Sequence, residues 1–332
     1  IRLPIYYRDI RDIDQQTGQW VEGSDYDFRT LDRIINLCGD RGIWVLLDLH
    51  GVPGSQSKEF HTGRRNYNKL FAQDELGAQY RERAKELWQA IAQHYSTNTT
   101  VMGYDLLNEP VGFTDYSAPN DYALLRNLYN DLYHAVRDAD KGADTKHVVV
   151  MEGAWDWDSL PPPSQMAWQN VMYQFHYYCW APPEGQAPVA GQTCPSERVA
   201  DQISYQKAFI EAHLAASLQN AYNVPVLIGE FNGFGQKEVW QYYMQQFNLK
   251  GYSWSVWSYK NHSHGSSWGV YDHLNYDEAQ PDFSYDTPEE IGRLPDFQYD
   301  TPEELDRKLK KYDTLRHHVP NSSLINIIKT YF

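Results

Sequence analysis

The sequence predicts an α/β fold, a (β/α)8 TIM barrel in which seven strands are recognisable and the first is missing. Three observations carry this. Short apolar runs alternate with longer amphipathic patterns along most of the 332 residues. The runs are continuous, as parallel strands covered by helices on both faces must be. Polar residues follow nearly every run, and no Gly-rich phosphate turn follows an early one. That favours a barrel over a doubly wound sheet.

The elements follow in order. "IRLPIYY" (1–7) reads as a strand. Residues 26–40 read as a helix, with Phe28, Leu31, Ile34, Ile35 and Cys38 at helical spacing and Gly39 and Gly42 ending it. "IWVLLDL" (43–49) is a buried strand. After a long polar loop, a helix over about 77–95 puts Leu87, Ala90, Ile91 and Tyr95 on one face. "VMGYDLL" (101–107) is a strand, 120–139 a helix, and "HVVVMEG" (147–153) and "VMYQFHYY" (171–178) are further strands. Residues 200–221 read as a helix, "VPVLIGEF" (224–231) as a strand, 236–248 as a helix and "GYSWSVWSY" (251–259) as the last strand.

These are seven strands, whereas closing a barrel links strand number, tilt and shear. A barrel one strand short exposes two edges. The expectation is therefore that an eighth strand lay upstream of Ile1, where the chain opens without an initiator Met or a leader. Residues 1–332 read as a single barrel domain with its core in 1–260. In the C-terminal extension, "PDFSYDTPEEIGRL" (281–294) is nearly repeated as "PDFQYDTPEELDRK" (295–308). Each copy carries Thr-Pro-Glu-Glu, a helix-start signal, and reads as a local duplication outside the core. Two copies are too few for a solenoid. "SSLINIIKTYF" reads as a terminal helix.

Composition narrows the partners. No apolar run approaches the roughly 20 residues that span a bilayer. A net charge of −15 argues against nucleic acid or an anionic membrane surface and fits a neutral substrate. Aromatic residues reach 15%, with 11 Trp and 26 Tyr. Beyond filling a core, such rings suit sugars, whose apolar face stacks on an indole. Cys38 reads as a small buried hydrophobe. Cys179 and Cys194 flank "WAPPEGQAPVAGQT", and bonded and free states both stay open; a bond would favour an oxidising compartment. Asn-X-Ser/Thr sequons occur at Asn98, Asn261 and Asn321, but such triplets are common by chance and weigh little. No Gly-X-Gly-X-X-Gly turn follows a strand, against a dinucleotide-dependent oxidoreductase. His50 and His61 lack zinc-ligand spacing and have no Cys near them. No cofactor and no metal are expected, and oligomeric state is not legible.

Two carboxylates carry the chemistry. Glu109, in "YDLLNEPVG", and Glu230, in "VPVLIGEFN", each end an apolar strand. With one strand lost, these are strands four and seven, and both glutamates belong at the carboxyl ends, facing one another across the barrel mouth. Such a pair suits glycosidic cleavage. One carboxyl protonates the leaving oxygen and the other attacks or stabilises the anomeric carbon.

Together "DLLNEP", "VLIGEF", "QFHYY" and "WSVWSYK" resemble family 5 glycoside hydrolases, from "IRLP" to "WSYK". The resemblance implies a retaining mechanism, with Glu109 as acid/base and Glu230 as nucleophile, and retention requires carboxyls about 5–5.5 Å apart. It implies that Asn108 binds the sugar 2-hydroxyl, that His176 lies near the acid/base, and that Tyr178 hydrogen-bonds Glu230. It also implies that His50 contacts the sugar at the cleavage subsite and that Arg2 holds the nucleophile carboxylate. Trp257 matches the aromatic platform of the last strand. Trp254, an odd number of residues away, should face the helix layer. Lys260 follows and is expected to reach a substrate hydroxyl. For Trp155, Trp157, Trp180 and Trp268, sugar stacking and packing both stay open.

The expected activity is a retaining endo-β-1,4-glucanase (a cellulase), secreted, acting on β-glucan polysaccharide or oligosaccharide. Alternatives are a β-1,3-glucanase, since "HGVPGSQ" resembles relatives of that kind, or a glycolipid-cleaving relative. The competing class is a catalytically weak sugar-binding protein.

Overall fold

A computed structural model describes residues 1–62, 66–110, 122–140, 147–154, 157–182, 185–195, 202–215, 222–264, 269–273 and 318–331. The duplicated segment at 281–308, Trp155 and Trp268 lie outside the described residues. The strands are β1 (Arg2–Tyr6), β2 (Val45–Gly51), β3 (Val101–Asp105), β4 (Val148–Glu152), β5 (Val171–Tyr177), β6 (Val226–Phe231) and β7 (Ser253–Trp254). They form one seven-stranded sheet in sequence order, β1 to β7. The pairs from β1 through β5 are parallel. Helices connect them: α1 (Arg29–Gly39), α2 (Glu75–Tyr95), α3 (Ala123–Ala139), α4 (Gln202–Ala215) and α5 (Lys237–Lys250). Among the described residues, this is the (β/α)8 fold with seven of its eight strands.

The chain divides into two compact units, Ile1–His176 with Ala216–Gly229, and Tyr177–Ala215 with Glu230–Phe332. The boundary passes through β5 and β6. In the first unit, β2 is buried along its whole length. Leu46, Val150 and Leu227 form an apolar cluster from β2, β4 and β6. Leu31, Ile35 and Cys38 give α1 its buried stripe, and α2 buries Tyr80, Ala84, Leu87, Trp88 and Ile91. Each fully buried Leu or Ile contributes roughly 1.5–3 kcal/mol. Asp74 caps α2, accepting the Gly77 amide at 2.8 Å.

Register places the polar interior. Asp48 pairs with Asp105, and Glu152 with Gln174, so acids from β2, β3 and β4 meet side chains of neighbouring strands. Gly229 sits where a Cβ would meet Gln174 at 2.4 Å, so glycine there lets β6 approach that amide.

In the second unit, α5 ends on Gly251 at φ 69°. The terminal helix α6 (Ser322–Tyr331) packs on α5, with Asn248 Nδ2 donating to the Tyr331 carbonyl at 2.9 Å. The expected strand over 251–259 is corrected to the two residues of β7. Lys260 instead begins β8 (Lys260–His264), which joins β9 (Tyr271–His273) and β10 (His318–Pro320) in a separate three-stranded sheet. The alternation of rings and small residues in "GYSWSVWSY" resembles a strand, but residues 255–259 leave the ladder as irregular backbone. Trp254 Nε1 donates to Asn248 Oδ1 of α5 at 2.9 Å, so that ring does face the helix layer.

Candidate active site

In the first unit, Glu109 follows β3 at φ 44°, a left-handed conformation that costs a non-glycine residue about 1–3 kcal/mol. Its backbone N–H donates to Glu152 Oε2 at 2.9 Å. The carboxylate lies between two imidazoles: His176 Nδ1 is 2.8 Å from Oε1, and His61 Nε2 is 2.8 Å from Oε2. Burial pushes the Glu109 carboxyl up, but the hydrogen bonds from His176 and His61 outweigh it and hold it well below the usual carboxylate range.

Beneath it is a buried charge cluster around Arg2. The guanidinium reaches Asp105 at 2.8 Å, Asp48 at 3.1 Å and the Asn108 amide oxygen at 2.8 Å, with Glu152 at 4.0 Å. One cation thus meets three carboxyls, each at most 2% exposed. Burial raises Asp105 to about 6; Arg2 opposes the rise and Asp48 adds to it. Gln174 Nε2 bridges Asp105 and Glu152 at 3.0 and 3.2 Å. His50 donates or accepts through Nδ1 at 2.8 Å from Asp48, and Gln56 Nε2 donates to the Asn108 carbonyl at 2.8 Å. These bonds hold Asn108 beside Glu109.

Glu109, Glu152 and His176 each present a ligand-type atom within 4.8 Å of the others. A metal ion there would sit beside the Arg2 guanidinium and displace the imidazole contact between the carboxyls.

In the second unit, Glu230 is 5% exposed and accepts the Tyr178 hydroxyl at 2.8 Å on Oε2. The surroundings are aromatic. The Tyr178 ring lies 5.3 Å from Trp180 and 6.4 Å from Phe234, and Trp180 lies 5.6 Å from Phe234. Trp180 is 45% exposed. Cys179 and Cys194 are joined in a disulfide, and the Cys194 amide donates to the Trp180 carbonyl at 2.9 Å. Asn232 Nδ2 donates to the Trp257 carbonyl at 3.1 Å and Oδ1 accepts the Phe234 amide at 2.6 Å.

A sequence model of the cellulase family, glycosyl hydrolase family 5, matches residues 1–263. The chain belongs to glycosyl hydrolase family 5. A beta-xylosidase of Phanerodontia chrysosporium is 27% identical over 272 residues, covering 79% of this chain and 53% of that protein. A glucan 1,3-beta-glucosidase of Lachancea kluyveri is 29% identical over 188 residues, 54% of this chain and 39% of that protein. The family 5 chain therefore spans about half or less of the length of these curated relatives. The endoglucanase Cel5A of the hyperthermophilic Thermotoga maritima superposes with a TM-score of 0.54 at 20% identity, covering 81% of this chain and 79% of that one. At that identity the likeness speaks for the fold.

Within this family 5 chain, the first unit brings Arg2, His50, Asn108, Glu109 and His176 together, and the second joins Tyr178 to Glu230. Trp257 follows β7, its amide 3.5 Å from the Phe231 carbonyl. The Lys260 side chain lies outside what is described. For Trp157, where the sequence leaves stacking and packing both open, the outcome is packing. The ring is 2% exposed, packed 4.8 Å from Phe175 and 5.7 Å from Tyr222. Sequence reading missed Asp48, Asp105, Glu152 and His61. For the first three a signal existed, an acid inside an apolar strand, which is stable in a core only when paired.

Proposed function

We propose that this family 5 chain is a retaining glycoside hydrolase of β-linked glucan, with endo cleavage of β-1,4-glucan as its first activity. The observation that carries the reading is the Glu109 carboxylate held between two imidazoles at a strand end. Glu109 is the acid/base and Glu230 the nucleophile. Acid catalysis needs a proton delivered to the leaving oxygen; because the imidazoles keep Glu109 itself ionised, the proton it passes on is one shared with His176 and His61. Tyr178 fixes the Glu230 oxygen that attacks the anomeric carbon. Asn108 takes the sugar 2-hydroxyl, a contact that strengthens in the transition state. His50 contacts the sugar, Lys260 a hydroxyl, and Trp257 stacks beneath the ring.

A second reading, β-1,3-glucan as substrate, is favoured by the similarity to glucan 1,3-beta-glucosidases. A panel of β-1,4-glucan, β-1,3-glucan, mannan and xylan decides between them, and turnover of none sinks both. A 2-fluoro glycoside should label Glu230 covalently. Glycan binding without a label or turnover would make the protein a sugar-binding module. The disulfide supports secretion into an oxidising compartment. Among the described residues, no helix is long and apolar enough to cross a membrane.

A further inference from the structure

Glu152 ends β4 and is 2% exposed, and it lies outside the four motifs that carry the family resemblance and outside the proposed mechanism. Its Oε2 accepts the Glu109 amide at 2.9 Å and Gln174 Nε2 at 3.2 Å. Its Oε1 faces His176 Nδ1 at 3.4 Å, the same nitrogen that lies 2.8 Å from Glu109 Oε1. From α3, the Tyr129 hydroxyl donates to the Glu152 carbonyl at 2.7 Å and accepts its amide at 3.1 Å, so the residue is locked from both sides of the strand. The charged groups facing the carboxyl are Arg2 from β1, Asp105 from β3, Glu109 after it, and His176 from β5. Two of these are cationic or basic and two acidic, and Arg2 is already engaged by Asp48 and Asp105 at shorter distances.

We infer that Glu152 is a positioning residue that holds a proton behind His176, anchors the strained Glu109 backbone, and sets the pH range over which Glu109 can act as an acid. The inference rests on the glycosidase reading for its catalytic part. With Oε2 occupied by two N–H donors, a proton on Glu152 belongs on Oε1, where it leaves the His176 Nδ1–H to Glu109. Burial raises this carboxyl well above the ordinary range, with Glu109 and Asp105 adding to the rise and His176 and Arg2 opposing it. When Glu152 releases that proton at higher pH, a second negative charge appears beside His176. That charge strengthens the hold of the Glu109–His176 pair on its own proton and extends acid catalysis toward alkaline pH.

The test uses Glu152→Gln, which keeps an acceptor for the Glu109 amide but cannot titrate. The alkaline limb of kcat/KM on soluble β-glucan should move to lower pH by about one unit, with the acid side nearly unchanged. On a 2,4-dinitrophenyl β-glycoside, whose leaving group needs no protonation, the limb should stay in place. Glu152→Ala, which removes the anchor as well, should lower kcat at every pH, and Glu152→Gln should restore the rate but not the limb. A uniform loss in Glu152→Gln, with the profile unmoved, overturns the inference. Unfolding in urea decides separately whether Glu152 stores a proton. A carboxyl whose folded pKa is raised loses stability as pH climbs from its ordinary value through the folded one. The wild-type protein should show that decline and Glu152→Gln a flatter one; parallel curves overturn the inference even if the wild type turns over no glycan, a result that would sink the glycosidase reading by itself.

Discussion

The surroundings of the two glutamates differ in kind. Glu109 sits among charges: two imidazoles on its oxygens, and below them a guanidinium shared by buried carboxyls. Glu230 accepts a phenol and lies near a ring cluster braced by a disulfide. A carboxyl that must gain and lose a proton benefits from neighbours that exchange protons. One that must attack benefits from a fixed orientation and a neighbour that donates without taking its charge. The contrast predicts that the first region answers to pH and the second to redox and to ring removal.

The largest effect should come from Glu230→Ala, which removes on the order of 10⁴-fold or more of kcat. Retention of a tenth of wild-type turnover would end the nucleophile assignment. Glu109→Ala should cost about 10²–10⁴-fold on glucan and far less on a dinitrophenyl glycoside. Equal losses on the two substrates would erase the distinction between the regions.

Arg2→Met tests the charged region by stability. Arg2 is 5% exposed and its removal leaves buried carboxyls unpaired, a cost of about 3–5 kcal/mol. Asp105, raised to about 6 in the folded protein, binds its proton more tightly there than in the unfolded chain. Its contribution is therefore full below about pH 4 and declines as pH rises through 6. Without Arg2, Asp105 is raised further, so the deficit measured in urea should shrink at acid pH. A deficit independent of pH would mean that Arg2 acts through packing alone.

The ring-lined region should respond to thiol reagents instead. Breaking Cys179–Cys194, 15 residues apart in sequence, should cost about 3 kcal/mol by chain entropy, read as a fall in the urea midpoint. An unchanged midpoint after reduction would show the loop held by its other contacts. Trp180→Ala is the mildest, a few-fold rise in KM on polymeric glucan with kcat preserved, since an exposed ring contributes stacking of roughly 1 kcal/mol. A fall in kcat with constant KM would instead tie Trp180 to the orientation of Tyr178.

Much of this was legible before folding. Apolar runs punctuated by polar ends predicted the strand order, and the terminal glutamates of "DLLNEP" and "VLIGEF" stood out because each closes such a run. The i, i+2 spacing of His176 and Tyr178 was also visible, because strand geometry fixes it locally. Less legible was the end of the sheet, where "GYSWSVWSY" alternates like a strand yet keeps only two residues in the ladder. Trp157 was not legible either, since a tryptophan in a strand-end loop reads alike whether it meets solvent or Phe175.

By itself, then, the sequence determined the βα alternation, the acidic strand ends and the local pairs, because periodicity and turn chemistry act over a few residues. Only the tertiary structure decided which carboxyls share Arg2, that His61 from a distant loop reaches Glu109, and that Glu152 lies behind His176. Those relations depend on the register between β1, β2, β3, β4 and β5, and an acid ending "HVVVME" carries no mark of the strand beside which it will be buried.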